Sequence, residues 1–134
     1  MTSDLWLRVD GRSGVPPYLQ LAQQIRQAIV AGVLVPGDQL PTVKEIVGMV
    51  AVNPNTVFKS LRELDHEGLV EGRPGAGTFV LRRPPGPTPG RHVALRRSLE
   101  RWVSQARGSG MDDRSIEGLM HQVLLDRDER EATA

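Results

Sequence analysis

Cysteine is absent from the 134-residue chain, and that absence removes disulfides, thiolate metal sites and cysteine nucleophiles together. It also fits a reducing compartment. Aromatic residues are scarce, with two Trp, two Phe and one Tyr, so the core has to be built from Leu, Val, Ile and Ala. No long apolar run exists. The longest, residues 28–35 counted through Gly32, falls well short of the roughly 20 residues a membrane helix needs. The opening residues lack a basic stretch followed by an apolar one, so no signal peptide is expected, and the chain reads as a soluble, cytoplasmic protein with no membrane partner. Charge imbalance is missing too: 17 basic against 16 acidic residues leave a net charge of +1. A strongly basic chain would have pointed to nucleic acid by itself. Here only the placement of charges can carry such an argument.

Catalytic and metal signatures are equally thin. His66, His92 and His121 stand at intervals that offer no metal-ligand spacing. No nucleophile motif or paired carboxylate set stands out, and Gly75-Ala76-Gly77 is too short and misplaced for a phosphate loop. The expectation is a protein that is not an enzyme and needs no cofactor or metal.

What is present is a sequence of well-punctuated helices. Residues 1–15 form an N-terminal arm in which residues 5–9 read as a short strand or an extended segment. After Pro16 and Pro17, apolar residues fall at 18, 21, 22, 25, 28 and 29, one face of a helix over about 17–31 that stops at Gly32. Thr42-Val43-Lys44-Glu45 is a capping box opening a short helix over about 43–49, with Val43, Ile46, Val47 and Val50 inward. Asn53 is a strong N-cap and Pro54 suits the first helical position, so a third helix starts there and runs to Glu67, burying Val57, Leu61 and Leu64. Gly68 and Leu69 end it as Gly32 and Val33 ended the first. Two apolar segments, 69–71 and 78–81, flank a Pro/Gly-rich tip and read as a β-hairpin, the wing, within 70–81.

The order helix, helix, short turn, helix, hairpin is that of a winged helix-turn-helix domain, placed over residues 16–83. Residues 84–90, with four prolines and two glycines, read as a linker outside any regular element. Residues 91–134 carry two further helical stripes: Leu95, Leu99, Trp102, Val103 and Ala106, then Ile116, Leu119, Met120, Val123 and Leu124. The fold class expected is therefore mainly α with a small β-hairpin: a winged helix-turn-helix domain followed by a short two-helix tail.

In this arrangement the second helix of the motif enters the DNA major groove and presents its N-terminal residues. Asn55 and Thr56 fall on its first exposed turn, where an Asn amide can pair with adenine and Thr with base or phosphate. Lys59 and Arg62 continue the outer face, Lys44 lies in the first turn of the preceding helix, and Arg73 flanks the wing. Basic side chains so placed would hold phosphates without reading sequence.

Segment 16–80 resembles the DNA-binding domain of the GntR family of bacterial transcription regulators. The resemblance rests on Pro17-Tyr18, Gln24-Ile25, Gly32, Pro36-Gly37-Asp38, Leu40-Pro41-Thr42-Val43-Lys44-Glu45, Asn53-Pro54-Asn55-Thr56-Val57, Leu61, Leu64, Gly68-Leu69 and Gly75-Ala76-Gly77-Thr78-Phe79-Val80. The Asn53–Val57 stretch and the short helical tail are most similar to the YtrA-type subgroup. That resemblance implies dimerisation through the tail and repression of the chain's own operon, commonly one encoding an ABC transporter. It places DNA contacts on Lys44, Asn53, Asn55, Thr56, Phe58, Lys59, Gly75 and Gly77. Three positions depart from the pattern: Phe58 replaces a small or basic residue, Ala76 replaces Arg or Lys at the wing tip, and Ala51 replaces a turn glycine. The last would be disfavoured if its φ had to be positive.

Each residue also has a plainer reading. Asn53 and Pro54 serve first as a cap. Lys59 and Arg62 could form a solvated face paired with Glu63 and Glu67, and Arg82 and Arg83 could merely keep the linker soluble. Phe58 is read first as packing at the rim of the core, with contact to a thymine methyl as the alternative. The tail stripes could fold back on their own chain. Two short helices beyond a linker bury little alone, however, so a homodimer through Leu95, Leu99, Trp102, Ile116, Leu119 and Val123 is the favoured reading. A winged helix serving as a protein-interaction module is the rival function, and the polar outer face of the third helix argues against it. An unidentified small-molecule effector is left open, since no residue cluster marks its site.

Overall fold

The computed structural model describes residues 5–133; residues 1–4 of the arm and Ala134 of the tail lie outside the described residues. Five helices and one two-stranded antiparallel sheet follow in the order α1 (Pro17–Val30), α2 (Val43–Val50), α3 (Pro54–His66), β1 (Val70–Arg73), β2 (Gly77–Val80), α4 (Pro89–Gly108) and α5 (Asp113–Thr133). The chain is mainly α and divides into two compact units, Met1–His92 and Val93–Ala134, so that α4 begins in the first and continues in the second.

The first unit closes around one apolar core. Leu21, Ala22, Ile25 and Ile29 of α1 meet Ile46 of α2, Val57 and Leu64 of α3, and Leu69, Val70 and Val80 around the hairpin. Each of the Leu, Ile and Val side chains contributes about 1.5–3 kcal/mol of burial. Ser60 is the one buried polar residue in this set, and its hydroxyl donates to the Tyr18 carbonyl at 2.7 Å, tying α3 to the start of α1. The α3 stripe therefore has four members, 57, 60, 61 and 64, one more than its apolar residues predict.

Local chemistry sets the helix ends. The Glu45 amide donates to Thr42 Oγ1 at 3.1 Å while the Thr42 amide donates to Glu45 Oε1 at 3.1 Å, the reciprocal pair expected of a capping box. The Thr42 backbone N–H, and then its side chain, hold the Glu45 carboxyl below its ordinary pKa. Gly32 (φ +80°) closes α1 while the Val33 amide donates back to Ala28; Gly68 and Leu69 repeat the device on α3, with Leu69 donating to Leu64.

The hairpin strands pair Val70 with Val80 and Arg73 with Gly77. They run closer to the tip than the segments 69–71 and 78–81 suggest. The reason is a four-residue turn, Arg73–Ala76, with Pro74 at its second position, Gly75 (φ +76°) at its third and a 3.0 Å bond from the Ala76 amide to the Arg73 carbonyl. Residues 37–40 lie alongside β2: the Gly37 amide donates to Val80, the Val80 amide to Asp38 and the Leu40 amide to Thr78, all at 2.8–2.9 Å.

Leu5 and Leu7 of the arm are buried in this core, with Trp6 pointing out between them. Among the described residues the extended arm has no strand partner. Its backbone is held by two side chains of α1: Gln24 bonds both the N–H and the carbonyl of Arg8, at 2.9 and 2.6 Å, and Gln20 does the same for Asp10, both at 2.8 Å.

The linker is shorter than the stretch 84–90 read from composition. Pro89 and Gly90 are already the first turn of α4, entered from Thr88, whose carbonyl accepts the His92 amide at 2.8 Å. Proline at a helix start loses no bond, because the N–H it lacks would be unpaired there. Arg83 anchors the remaining linker by donating to the carbonyls of Val30 and Pro87.

In the second unit Gly110 (φ +99°) ends α4, and Asp112 caps α5 by accepting the Ser115 amide at 2.8 Å. Ala106 and Ile116 are buried, but most of the apolar stripe on both helices is not.

Candidate nucleic-acid interface

The α3 N-terminus is built by its cap. The Asn53 side chain accepts the Asn55 amide at 2.8 Å, which commits its oxygen to the helix. Pro54 occupies the next position and lacks an N–H. The first exposed side chain of the helix that can both donate and accept is therefore Asn55, and Thr56 beside it is half-buried. The outer face continues through Phe58, Lys59 and Arg62, the three- and four-residue spacings of one helical stripe. Phe58 is 49% exposed: half of it is covered, as packing at the rim of the core requires, and half faces water.

Asn55, Phe58 and Arg62 line a groove of about 300 Å³ whose other walls are Asp65, the apolar Val43, Leu61 and Val70, and Gly72 and Thr78 of the hairpin. Lys59 is not paired with Glu63 or Glu67; its ammonium stands 4.1 Å over the Tyr18 ring. Such a contact orients the chain and leaves the charge in place. Glu67 instead pairs with Arg26 of α1. Arg62 and Lys44 are exposed and make no ion pair among the described residues, which leaves both charges available.

The wing is more constrained. Arg73 stacks over Phe79 at 4.4 Å and pairs with Glu71 at 3.3 Å, which spends part of its charge locally. Gly75 faces open space, whereas a Cβ on Gly77 (φ +120°) would lie 2.5 Å from Gln39 Nε2. Gln39 in turn donates to the Ala76 carbonyl at 2.9 Å. Both glycines are thus required by the backbone, and Gln39 fixes the wing tip. Gln39, Tyr18 and Ser60 position this surface without being legible as functional residues; the only sequence signal was Tyr18 next to the Pro17 helix start.

The departure at Ala51 is resolved by its conformation. With φ +53° and ψ +44°, it is the one non-glycine residue with positive φ among those described, and it forms the turn between α2 and α3. A left-handed alanine costs about 1–2 kcal/mol relative to ordinary conformations.

Comparison with known proteins decides the family. Residues 17–80 match the model of the bacterial regulatory proteins of the gntR family. An HTH-type transcriptional regulator of Mycobacterium tuberculosis is 38% identical over 106 residues, 79% of this chain and 84% of the relative. The chain belongs to the GntR family. It is also 29% identical to the HTH-type transcriptional repressor YtrA of Bacillus subtilis over 121 residues, 90% of this chain and 93% of that one. Among solved structures, the GntR-family transcription factor YtrA from Sulfolobus acidocaldarius is 31% identical, with a TM-score of 0.51 over 72% of this chain and 95% of that one. The DNA-binding domain AraR(DBD), solved in complex with an operator, gives a TM-score of 0.52 at 28% identity over 56% of this chain and 95% of that one. GntR proteins are DNA-binding transcription regulators rather than enzymes, and this chain is one of them. No helix of the described residues is long and apolar enough to cross a membrane.

The tail has its own surface. Leu99, Trp102, Leu119 and Val123 line an apolar groove of about 500 Å³ with Met120 and Leu124, and Leu95 is exposed further up α4. Ile116 is the exception in the expected dimer set. It is 5% exposed within the single chain, so it is spent inside the tail unit and is not available to a partner.

Proposed function

We propose that the chain is a cytoplasmic, homodimeric repressor that reads an inverted-repeat operator, with the DNA upstream of its own gene as a target. Each protomer places α3 in a major groove: Asn55 and Thr56 meet base edges, while Lys44, Lys59, Arg62 and Arg73 hold phosphates. Asn53 contributes through the helix start it caps, and Gly75 and Gly77 let the wing backbone approach the duplex. The two half-sites lie about 34–36 Å apart or a multiple of that spacing, as a two-fold dimer on B-DNA requires.

The observation that carries the dimer is the open groove of the tail. Six apolar side chains line it with no polar residue among them, and a second copy of the same surface is the partner that covers both at once. The name of the Bacillus relative, a repressor, supports the sign of regulation.

Fluorescence anisotropy on the upstream DNA and on a shuffled duplex, each at about 50 and 200 mM salt, tests this reading. A preference of a hundredfold or more with a steep salt slope supports it. Lys44→Ala should weaken binding to both duplexes alike and lower the slope by about one. Equal, weak binding of the wild-type protein to both sequences would reject autoregulation.

A further inference from the structure

Phe58 is the least expected side chain on the outer face of α3. Its neighbours on the stripe, Asn55, Lys59 and Arg62, are polar or charged, yet a phenyl ring stands among them nearly half in water. Half of it is covered, and the other half is open in a groove between α3 and the hairpin whose lining also includes the apolar Val43, Leu61 and Val70. The ring carries no donor or acceptor, so it cannot read the hydrogen-bond pattern of a base edge. Among the groups that base pairs display in the major groove, one is apolar: the 5-methyl of thymine.

We infer that Phe58 is a specificity-determining residue that selects thymine through its 5-methyl group, beside the base pair read by Asn55. This rests on α3 being the element that enters the major groove. Three residues of helix advance about 4.5 Å and one base pair about 3.4 Å, so Phe58 falls one base step or slightly more from Asn55. Packing the methyl against the ring removes both from water, while the Asn55 amide and the Arg62 guanidinium on either side stay free for polar groups. A cytosine in the same place would present a bare C5 and lose that contact.

Removing only the methyl tests the inference. The wild-type protein first selects its best duplex from a randomised pool, and each thymine is then replaced singly by deoxyuridine. At one or two positions in each half-site, wild-type affinity should fall about threefold to fivefold, the burial of one methyl group. Phe58→Ala should bind the thymine and uracil duplexes equally at those positions, and Phe58→Leu, which keeps an apolar contact and a helix-forming side chain, should retain part of the difference. Two results would overturn the assignment: a wild-type protein indifferent to uracil everywhere, or a Phe58→Ala protein as sensitive as wild type. A pool that yields no consensus at all would be a separate failure, striking sequence-specific reading itself and this assignment with it.

Discussion

The two units of this chain solve the same problem to different degrees. In Met1–His92 the apolar faces of three helices, a hairpin and an arm close on one another, and the outer side of α3 is left polar apart from Phe58. In Val93–Ala134 two helices longer than any in the first unit bury, among the described residues, only Ala106 and Ile116 and leave Leu95, Leu99, Leu119, Val123 and Leu124 exposed. A helix with an open apolar stripe is an unfinished core. The first unit buries its helix faces within one chain, whereas the second leaves most of its apolar stripe open, which is the observation behind the dimer proposed above.

The sharpest way to break this comparison is to make one truncation in each unit. Leu64→Ala, in the closed core, should cost about 2–5 kcal/mol in urea unfolding. Leu119→Ala, already 42% exposed, should cost well under that in dilute, monomeric protein. Equal losses would mean that the tail is closed by its own chain. Next in size is Leu119→Glu, which should give monomers by analytical ultracentrifugation and weaken operator binding by about a hundredfold through lost bivalency, with unfolding of the winged unit unmoved. A dimeric Leu119→Glu protein would place the interface elsewhere.

A smaller effect separates helix ends within the units. Glycine takes the left-handed position after α1, α3 and α4, while α2 uses Ala51. Ala51→Gly should therefore raise stability by up to about 1 kcal/mol, the relief of left-handed strain less the flexibility glycine adds to the unfolded chain. Thermal unfolding would show it, and a drop in stability would contradict the strain.

Smallest is the pH dependence of the capping box. The Glu45 carboxyl titrates below its ordinary value of 4.5 because it accepts the Thr42 amide. A depressed folded pKa adds stability that is fully present above the unfolded value and lost as pH falls through the folded one. Acid titration by circular dichroism should show a shallower loss below pH 4.5 for Glu45→Gln, which keeps an acceptor without a charge.

The parts of the fold that were legible are those fixed by neighbours in sequence. Thr42 with Glu45, Asn53 with Pro54, and the glycines at 32 and 68 each satisfy or end a helix within a few residues, so α1, α2 and α3 were readable to within a residue or two. The same holds for the polar face of α3. What stayed hidden depends on distance. Ser60 is buried because the Tyr18 carbonyl lies beside it, Lys59 leans on the Tyr18 ring, and Gln39 supports a wing tip 37 residues away. Composition misled at residues 89–90, where proline and glycine suggested a linker but their position after Thr88 suited a helix start. Periodicity alone grouped Ile116 with Leu119 and Val123, although only the latter two remain exposed.

The grip of α1 on the arm has a metric consequence. Gln20 and Gln24 stand four residues apart, about 6.0 Å along a helix, and the backbone sites they hold, Asp10 and Arg8, are two residues apart, about 6.6 Å along an extended chain. The two periods nearly coincide, so the helix acts as a ruler against which the arm is laid off residue by residue. Inserting one residue between Leu7 and Arg8 would keep the polar clamps engaged but turn Leu5 and Leu7 out of the core and Trp6 into it, because side chains of an extended chain alternate. The arm is thus a segment whose length, more than its composition, is under physical constraint.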